Sequence, residues 1–106
     1  MIYGVDYYPE HWDRSEWEHQ VELMKEGGFN TVRMGEFDWK LFEKEEGKFD
    51  FSVLDEAIDV LAAQGIKVIL GTPTAAPPKW LADRYDVLQR DRYGRVRAWG
   101  SRRECC

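Results

Sequence analysis

The stretch VRMGEFDW, residues 32–39, opens as an apolar strand and ends on an acid, Glu36, followed at once by Phe37 and then by Trp39. A core strand does not tolerate a carboxylate without a partner, and a surface loop has no use for two large aromatics. Two other segments have the same character. DYYPEHW, residues 6–12, puts Asp6, Glu10 and His11 among Tyr7, Tyr8 and Trp12, and TPTAAPPKW, residues 72–80, supplies Thr72, Pro73, Thr74 and Trp80. Aromatic faces stack on the C–H face of a sugar, and carboxylates accept hydrogen bonds from its hydroxyls. As a set, these residues imply a carbohydrate site. Taken singly, Tyr7, Trp12, Phe37 and Trp39 serve equally well as packing for the loops that carry them. Glu36 has two readings. It either holds its loop through an ion pair with Arg33 or Arg102, or it meets substrate directly, since a buried acid needs partners in both cases.

The elements that must position these residues alternate. MIYGV, residues 1–5, is a short strand that Pro9 separates from the next element. Asp13 or Ser15 caps a helix whose apolar positions are Trp17, Val21 and Met24, with Leu23 beside them, and Gly27-Gly28 ends it. NTVRM, residues 30–34, is the second strand, and a long loop fills residues 35–50. A second helix over residues 52–64 turns Leu54, Ile58, Leu61 and Ala62 inward and stops at Gly65. IKVILG, residues 66–71, is an unbroken apolar run of the kind buried on both faces of a parallel sheet. A short third helix ends near Tyr85, and the remainder is loop with a hairpin around Tyr93-Gly94.

This β, α, β, α, β, α order predicts an α/β fold with a parallel sheet. The helix-to-strand loops are tight and the strand-to-helix loops are long and aromatic. That asymmetry belongs to a (β/α)₈ TIM barrel, whose site lies at the carboxyl ends of its strands. A doubly wound fold would carry a glycine-rich phosphate loop after its first strand, where this chain reads DYYPEHW. Three βα units make only part of a barrel, so all of residues 1–106 are expected to be the incomplete N-terminal part of one catalytic domain.

Composition narrows the function classes. A net charge of −5 argues against a nucleic-acid partner, and the arginines between Arg84 and Arg103 are interrupted by Asp86 and Asp91. No apolar run spans a bilayer and no charged-then-apolar leader opens the chain, so no membrane partner is expected. The two cysteines, Cys105 and Cys106, are adjacent and form no disulfide framework, which points to a reducing, cytoplasmic setting.

GVDYYPEHW, VRMGEFDW, EEGKFDFSVLDEAI, LGTPTAAPPKWL and GSRR occur in that order along essentially the whole chain. Together they resemble the N-terminal part of a glycoside hydrolase family 42 β-galactosidase. The resemblance implies a (β/α)₈ catalytic barrel in a hydrolase that removes terminal β-D-galactose with retention. It also implies a parent that assembles as a homotrimer through a later domain. The family's two catalytic glutamates lie on its fourth and seventh strands. Retaining hydrolysis needs both, one as nucleophile and the other as acid and then base. Neither segment is in this sequence, so no catalytic residue is carried over, and the chain alone is expected to be inactive.

What the resemblance does carry over is Arg102, which matches the first arginine of the family's Arg-Arg pair, a galactose-binding position. A guanidinium there forks two hydrogen bonds to hydroxyls or orients a carboxylate, and its alternative is a loop-anchoring salt bridge. Cys106 matches a cysteine that in some members joins others around a structural zinc. Zinc takes four such ligands and this chain offers at most two, so the metal belongs to a longer protein and no cofactor is required here. Glu104 and Cys105 depart from the family's His-Tyr, and Asp38 stands where alanine is common. The alternatives are another retaining glycosidase of the same barrel clan, or a non-catalytic carbohydrate-binding piece. The latter would have to fold alone, and so small an open sheet is marginal.

Overall fold

The computed structural model describes residues 1–97; Arg102 and Cys106 lie outside them. The chain divides into two compact units. One comprises Met1–Gly35 and Phe51–Gly71, and the other comprises Glu36–Asp50 and the chain from Thr72 onward. Among the described residues no helix is long and apolar enough to cross a membrane.

The first unit is an α/β layer. Strands β1 (Gly4–Asp6), β2 (Thr31–Met34) and β5 (Lys67–Leu70) form a parallel sheet in the order β1-β2-β5, with Val5 opposite Val32 and Val32 opposite Val68. Helix α1 (Trp17–Glu26) joins β1 to β2, and helix α3 (Ser52–Ala63) leads into β5. Period-2 alternation in β2 sends Val32 and Met34 into the core and leaves Arg33 exposed. Against them the helices bury Trp17 and Val21 from α1 and Leu54, Ala57 and Leu61 from α3. Ala57 occupies the inward position expected of Ala62, which is exposed.

The chain enters and leaves α1 through two local devices. Neither Asp13 nor Ser15 caps α1 itself, whose N-cap is Glu16; Asp13 caps the turn just before it. Its Oδ1 accepts from the Ser15 amide at 3.0 Å and from the Ser15 hydroxyl at 2.8 Å, opening a 3₁₀ turn (Arg14–Glu16) that runs into the helix. Gly28, at φ 81°, reverses the chain so that the Phe29 amide reaches the Met24 carbonyl at 3.0 Å.

β5 departs from expectation. Val68 is half-buried, while Ile69 is 48% and Leu70 54% exposed. The apolar run is there, but the strand sits at the sheet edge. β2 pairs with one side of it, and among the described residues no strand pairs with the other. A run written for burial on both faces is therefore left half-open.

Close strand approach makes Gly4 irreplaceable. A Cβ added there would lie 2.4 Å from the Thr31 backbone carbonyl oxygen, which has no flexible end to yield. Gly4→Ala is expected to cost about 1–3 kcal/mol by forcing β1 off β2. The check is amide exchange at Asn30 and Tyr7, whose N–H groups bond across this pair to Tyr3 and Arg33; both should exchange faster in the variant.

The second unit corrects the long loop expected over residues 35–50. That segment holds a one-turn helix α2 (Trp39–Phe42) and a two-stranded antiparallel hairpin, β3 (Glu43–Glu45) and β4 (Lys48–Phe49). Gly47 makes the turn at φ 80°. Helix α4 (Lys79–Arg84) follows the buried Pro77-Pro78 and is braced by Lys79 and Asp83 at 2.6 Å. At its end Arg84 and the Tyr85 hydroxyl both donate to the Glu46 carboxylate at the hairpin tip. The hairpin expected around Tyr93-Gly94 is present. Arg90 bridges Val96, and Asp91 Oδ1 accepts from the amides of Tyr93 at 2.8 Å and Arg95 at 3.0 Å.

Candidate functional site

The carboxyl ends of β1 and β2 bring two charged side chains together. Asp6 and Arg33 stand opposite each other in register, with Arg33 Nε 3.1 Å from Asp6 Oδ1 and an Arg33 terminal nitrogen 3.2 Å from Asp6 Oδ2. The guanidinium thus forks onto one carboxylate. Arg33 is one of the two arginines expected to partner Glu36, and its fork lies on Asp6. The pair is on the face of β2 opposite Val32 and Met34, away from the core.

Beyond β1 the DYYPEHW segment splits by role. Pro9 starts a 3₁₀ turn (Pro9–His11), and the buried Trp17 indole donates to the Pro9 carbonyl at 3.1 Å. Tyr7 is buried too, and its hydroxyl donates to Gln20 Oε1 at 2.8 Å. It is therefore packing, the blander of its two readings. Trp12 is exposed. Glu10 has both carboxylate oxygens shielded from solvent, with His11 Nε2 3.8 Å from Oε1.

Burial, seconded by the charge of Glu10, pushes the Tyr7 hydroxyl up to about 12. The neutral form is thus favoured on folding. Its contribution to stability is complete below the ordinary tyrosine value near 10 and is lost as pH rises from there through the folded value. A phenolate absorbance titration should show a late step to which Tyr7 contributes, with the Tyr85 hydroxyl also held up by its bond to the Glu46 carboxylate. Tyr7→Phe should shrink that late step and flatten alkaline stability over the same interval.

In the second unit, Glu36 is half-buried with its carboxylate oxygens shielded, and Phe37 beside it is exposed. Asp38 is buried at the start of α2, where its carbonyl accepts from the amides of Leu41 at 2.9 Å and Phe42 at 3.0 Å. Trp39 and Trp80 are half-buried, and both indoles are tied to Glu43. Trp39 Nε1 donates to Glu43 Oε2 at 2.7 Å, and Trp80 Nε1 donates to the Glu43 carbonyl at 2.9 Å. Sequence reasoning missed Glu43, because FEKEEGKF reads as a solvated charge run. Its one signal is the buried Phe42 immediately before it. Among the described residues no group of three or more His, Cys, Asp or Glu side chains could hold a metal, and Cys106 lies beyond them.

Comparison with known proteins gives this arrangement a context. β-Galactosidase from Thermus thermophilus is 55% identical over 104 residues, which is 97% of this chain and 16% of that protein. The β-galactosidase BgaH of Haloferax lucentense is 52% identical over 107 residues, covering all of this chain and 16% of the relative. Among solved structures, the β-galactosidase of psychrophilic Marinomonas ef1 superposes with a TM-score of 0.92 at 51% identity, over 99% of this chain and 16% of that one. The polyextremophilic β-galactosidase of Halorubrum lacusprofundi superposes with a TM-score of 0.93 at 50% identity, over 100% of this chain and 16% of that one. The chain therefore spans about one-sixth of the length of the relatives it matches, 16% in each case. The β-galactosidase family model matches residues 6–106, and the chain belongs to glycoside hydrolase family 42.

Proposed function

We propose that this chain is the N-terminal part of a retaining β-galactosidase and forms the first three βα units of its (β/α)₈ barrel. The observation that carries the reading is similarity above 50% identity along essentially the whole chain to proteins named β-galactosidase. The open flank of β5 supports the barrel. Val68, Ile69 and Leu70 present apolar surface at a strand edge where a fourth parallel strand would pair.

In this reading the chain binds and orients, and the two catalytic carboxylates come from segments outside it. Retention places those carboxylates about 5–5.5 Å apart, one attacking the anomeric carbon and the other protonating the leaving oxygen and then activating water. Arg102 donates its fork of N–H groups to galactose hydroxyls, and Glu36 accepts from a hydroxyl at the rim. The substrate is a terminal β-D-galactoside, and the intact enzyme is a homotrimer in the cytoplasm. The residues described here do not make a zinc site. A structural zinc would involve Cys106 only together with cysteines outside the chain, and no step of the reaction runs through it.

The test is a graft in which this chain replaces the matched segment of the Thermus thermophilus β-galactosidase. The graft should hydrolyse p-nitrophenyl β-galactoside in preference to the β-glucoside. A folded graft that prefers another glycoside favours a different glycosidase of the clan. A folded graft that hydrolyses nothing overturns the proposal in favour of a non-catalytic sugar-binding role.

A further inference from the structure

Glu43 is 7% exposed, and a carboxylate so deeply buried is costly unless its oxygens are hydrogen bonded. Both are. Oε2 takes the Trp39 indole N–H at 2.7 Å, and Oε1 takes the Gly47 amide at 2.8 Å. The main-chain carbonyl of the same residue takes the Trp80 indole N–H at 2.9 Å, from 37 positions further along the chain. One residue thus fixes the edges of two indoles.

The core tryptophan of this protein is held differently. Trp17 is buried, with the Arg14 guanidinium over its ring, and satisfies its N–H with the Pro9 carbonyl. Trp39 and Trp80 are half-buried, less enclosed than Trp17. Trp39 is anchored by a side-chain carboxyl oxygen at 2.7 Å, a shorter bond than the 3.1 Å that Trp17 makes to its carbonyl. An indole pinned by its N–H edge keeps its face for another partner. The exposed Phe37 lies in the same segment, two residues before Trp39.

We propose that Glu43 is a positioning residue for sugar recognition. It holds Trp39 and Trp80 as a fixed aromatic pair against which the apolar C–H face of a pyranose ring in the β-galactoside rests. The inference builds on the proposed function and names a residue of the same site that acts through its neighbours.

The test uses the Thermus graft. Glu43→Gln has one acceptor oxygen where the carboxylate has two, so either the Trp39 or the Gly47 N–H must face an amide NH₂. KM for p-nitrophenyl β-galactoside should rise about tenfold, the equivalent of one lost net hydrogen bond, while kcat stays within about twofold. Trp39→Phe should raise KM in the same way. The double variant should be no worse than Trp39→Phe alone, because both changes break one link. Indole fluorescence of Glu43→Gln should shift to the red as the ring loosens. A folded Glu43→Gln graft with unchanged KM, or a double variant whose losses add, overturns the inference. If Glu43→Gln does not fold, Trp80→Phe decides, since it leaves the carboxylate and both its partners intact. Raised KM then supports the role, and unchanged KM overturns it. A folded, unsubstituted graft without galactosidase activity is a separate result, which removes the proposed function itself.

Discussion

Replacing Leu61 with alanine is expected to remove about 2–5 kcal/mol of stability. Leu61 is fully buried on α3, and its backbone carbonyl accepts the Ile66 amide at 3.0 Å where the chain turns toward β5. It shares the interior with Val21, Val32 and Met34, each 0% or 1% exposed, so nothing stands ready to move into the space vacated. The cost is the lost transfer energy of the side chain plus the cavity left behind. Urea unfolding of the Thermus graft should show a lower midpoint with an unchanged slope. Ala62→Ser, one residue on but exposed, serves as the control and should fall within about 0.5 kcal/mol of the parent. Equal effects at the two positions would mean that α3 packs with another face.

Replacing Arg102 with alanine is the second large effect, and it falls on activity. A guanidinium that donates to galactose hydroxyls, or that orients a carboxylate, contributes about 1.5–3 kcal/mol through charged hydrogen bonds. That corresponds to a fall in kcat/KM of roughly one to two orders of magnitude. Arg102→Lys keeps the charge but loses the planar fork, so it should recover only part of the activity. Arg103→Ala is the companion control and should cost far less if only the first arginine of the pair faces sugar. Thermal stability separates the two readings of Arg102. A loop-anchoring salt bridge predicts a lowered melting temperature with activity intact below it, whereas a substrate contact predicts lost activity at an unchanged melting temperature.

The elements set by periodicity were legible in the sequence. Trp17, Val21 and Met24 fall on one helical face, Asp13 caps the 3₁₀ turn that runs into that helix, and Gly28 turns the chain after it. The second helix differs by one residue at its end, and the parallel pairing of three strands agrees with the alternation of strands and helices. Two features were not legible, each for a physical reason. The segment from Trp39 to Phe49 folds into a turn of helix and a hairpin, although its charges conceal the alternation a strand would show. What organises it is a buried carboxylate, Glu43, whose residue also holds a tryptophan 37 positions away, and no local pattern records such a contact. The exposure of Ile69 and Leu70 was hidden as well, because an apolar run states what a strand is suited to and not which neighbours it has.

Of the site residues, Glu36 is where the sequence suggested, directly beyond β2 and shielded from solvent, while Tyr7 turned out to serve the core. Trp12 and Phe37 keep the exposure that a sugar platform needs. Trp39 and Trp80, which look alike in sequence as loop aromatics, share an anchor. The acid–aromatic composition singled out these segments. It could not rank the individual side chains, since packing and recognition draw on the same residue types.

The most direct measurement is a crystal structure of the Thermus graft soaked with galactose. The account predicts the sugar at the carboxyl ends of the strands, with the Arg102 guanidinium and the Glu36 carboxylate within hydrogen-bond distance of its hydroxyls. A galactose bound by the graft with no residue of this chain touching it would contradict the claim that the segment lines the galactoside site.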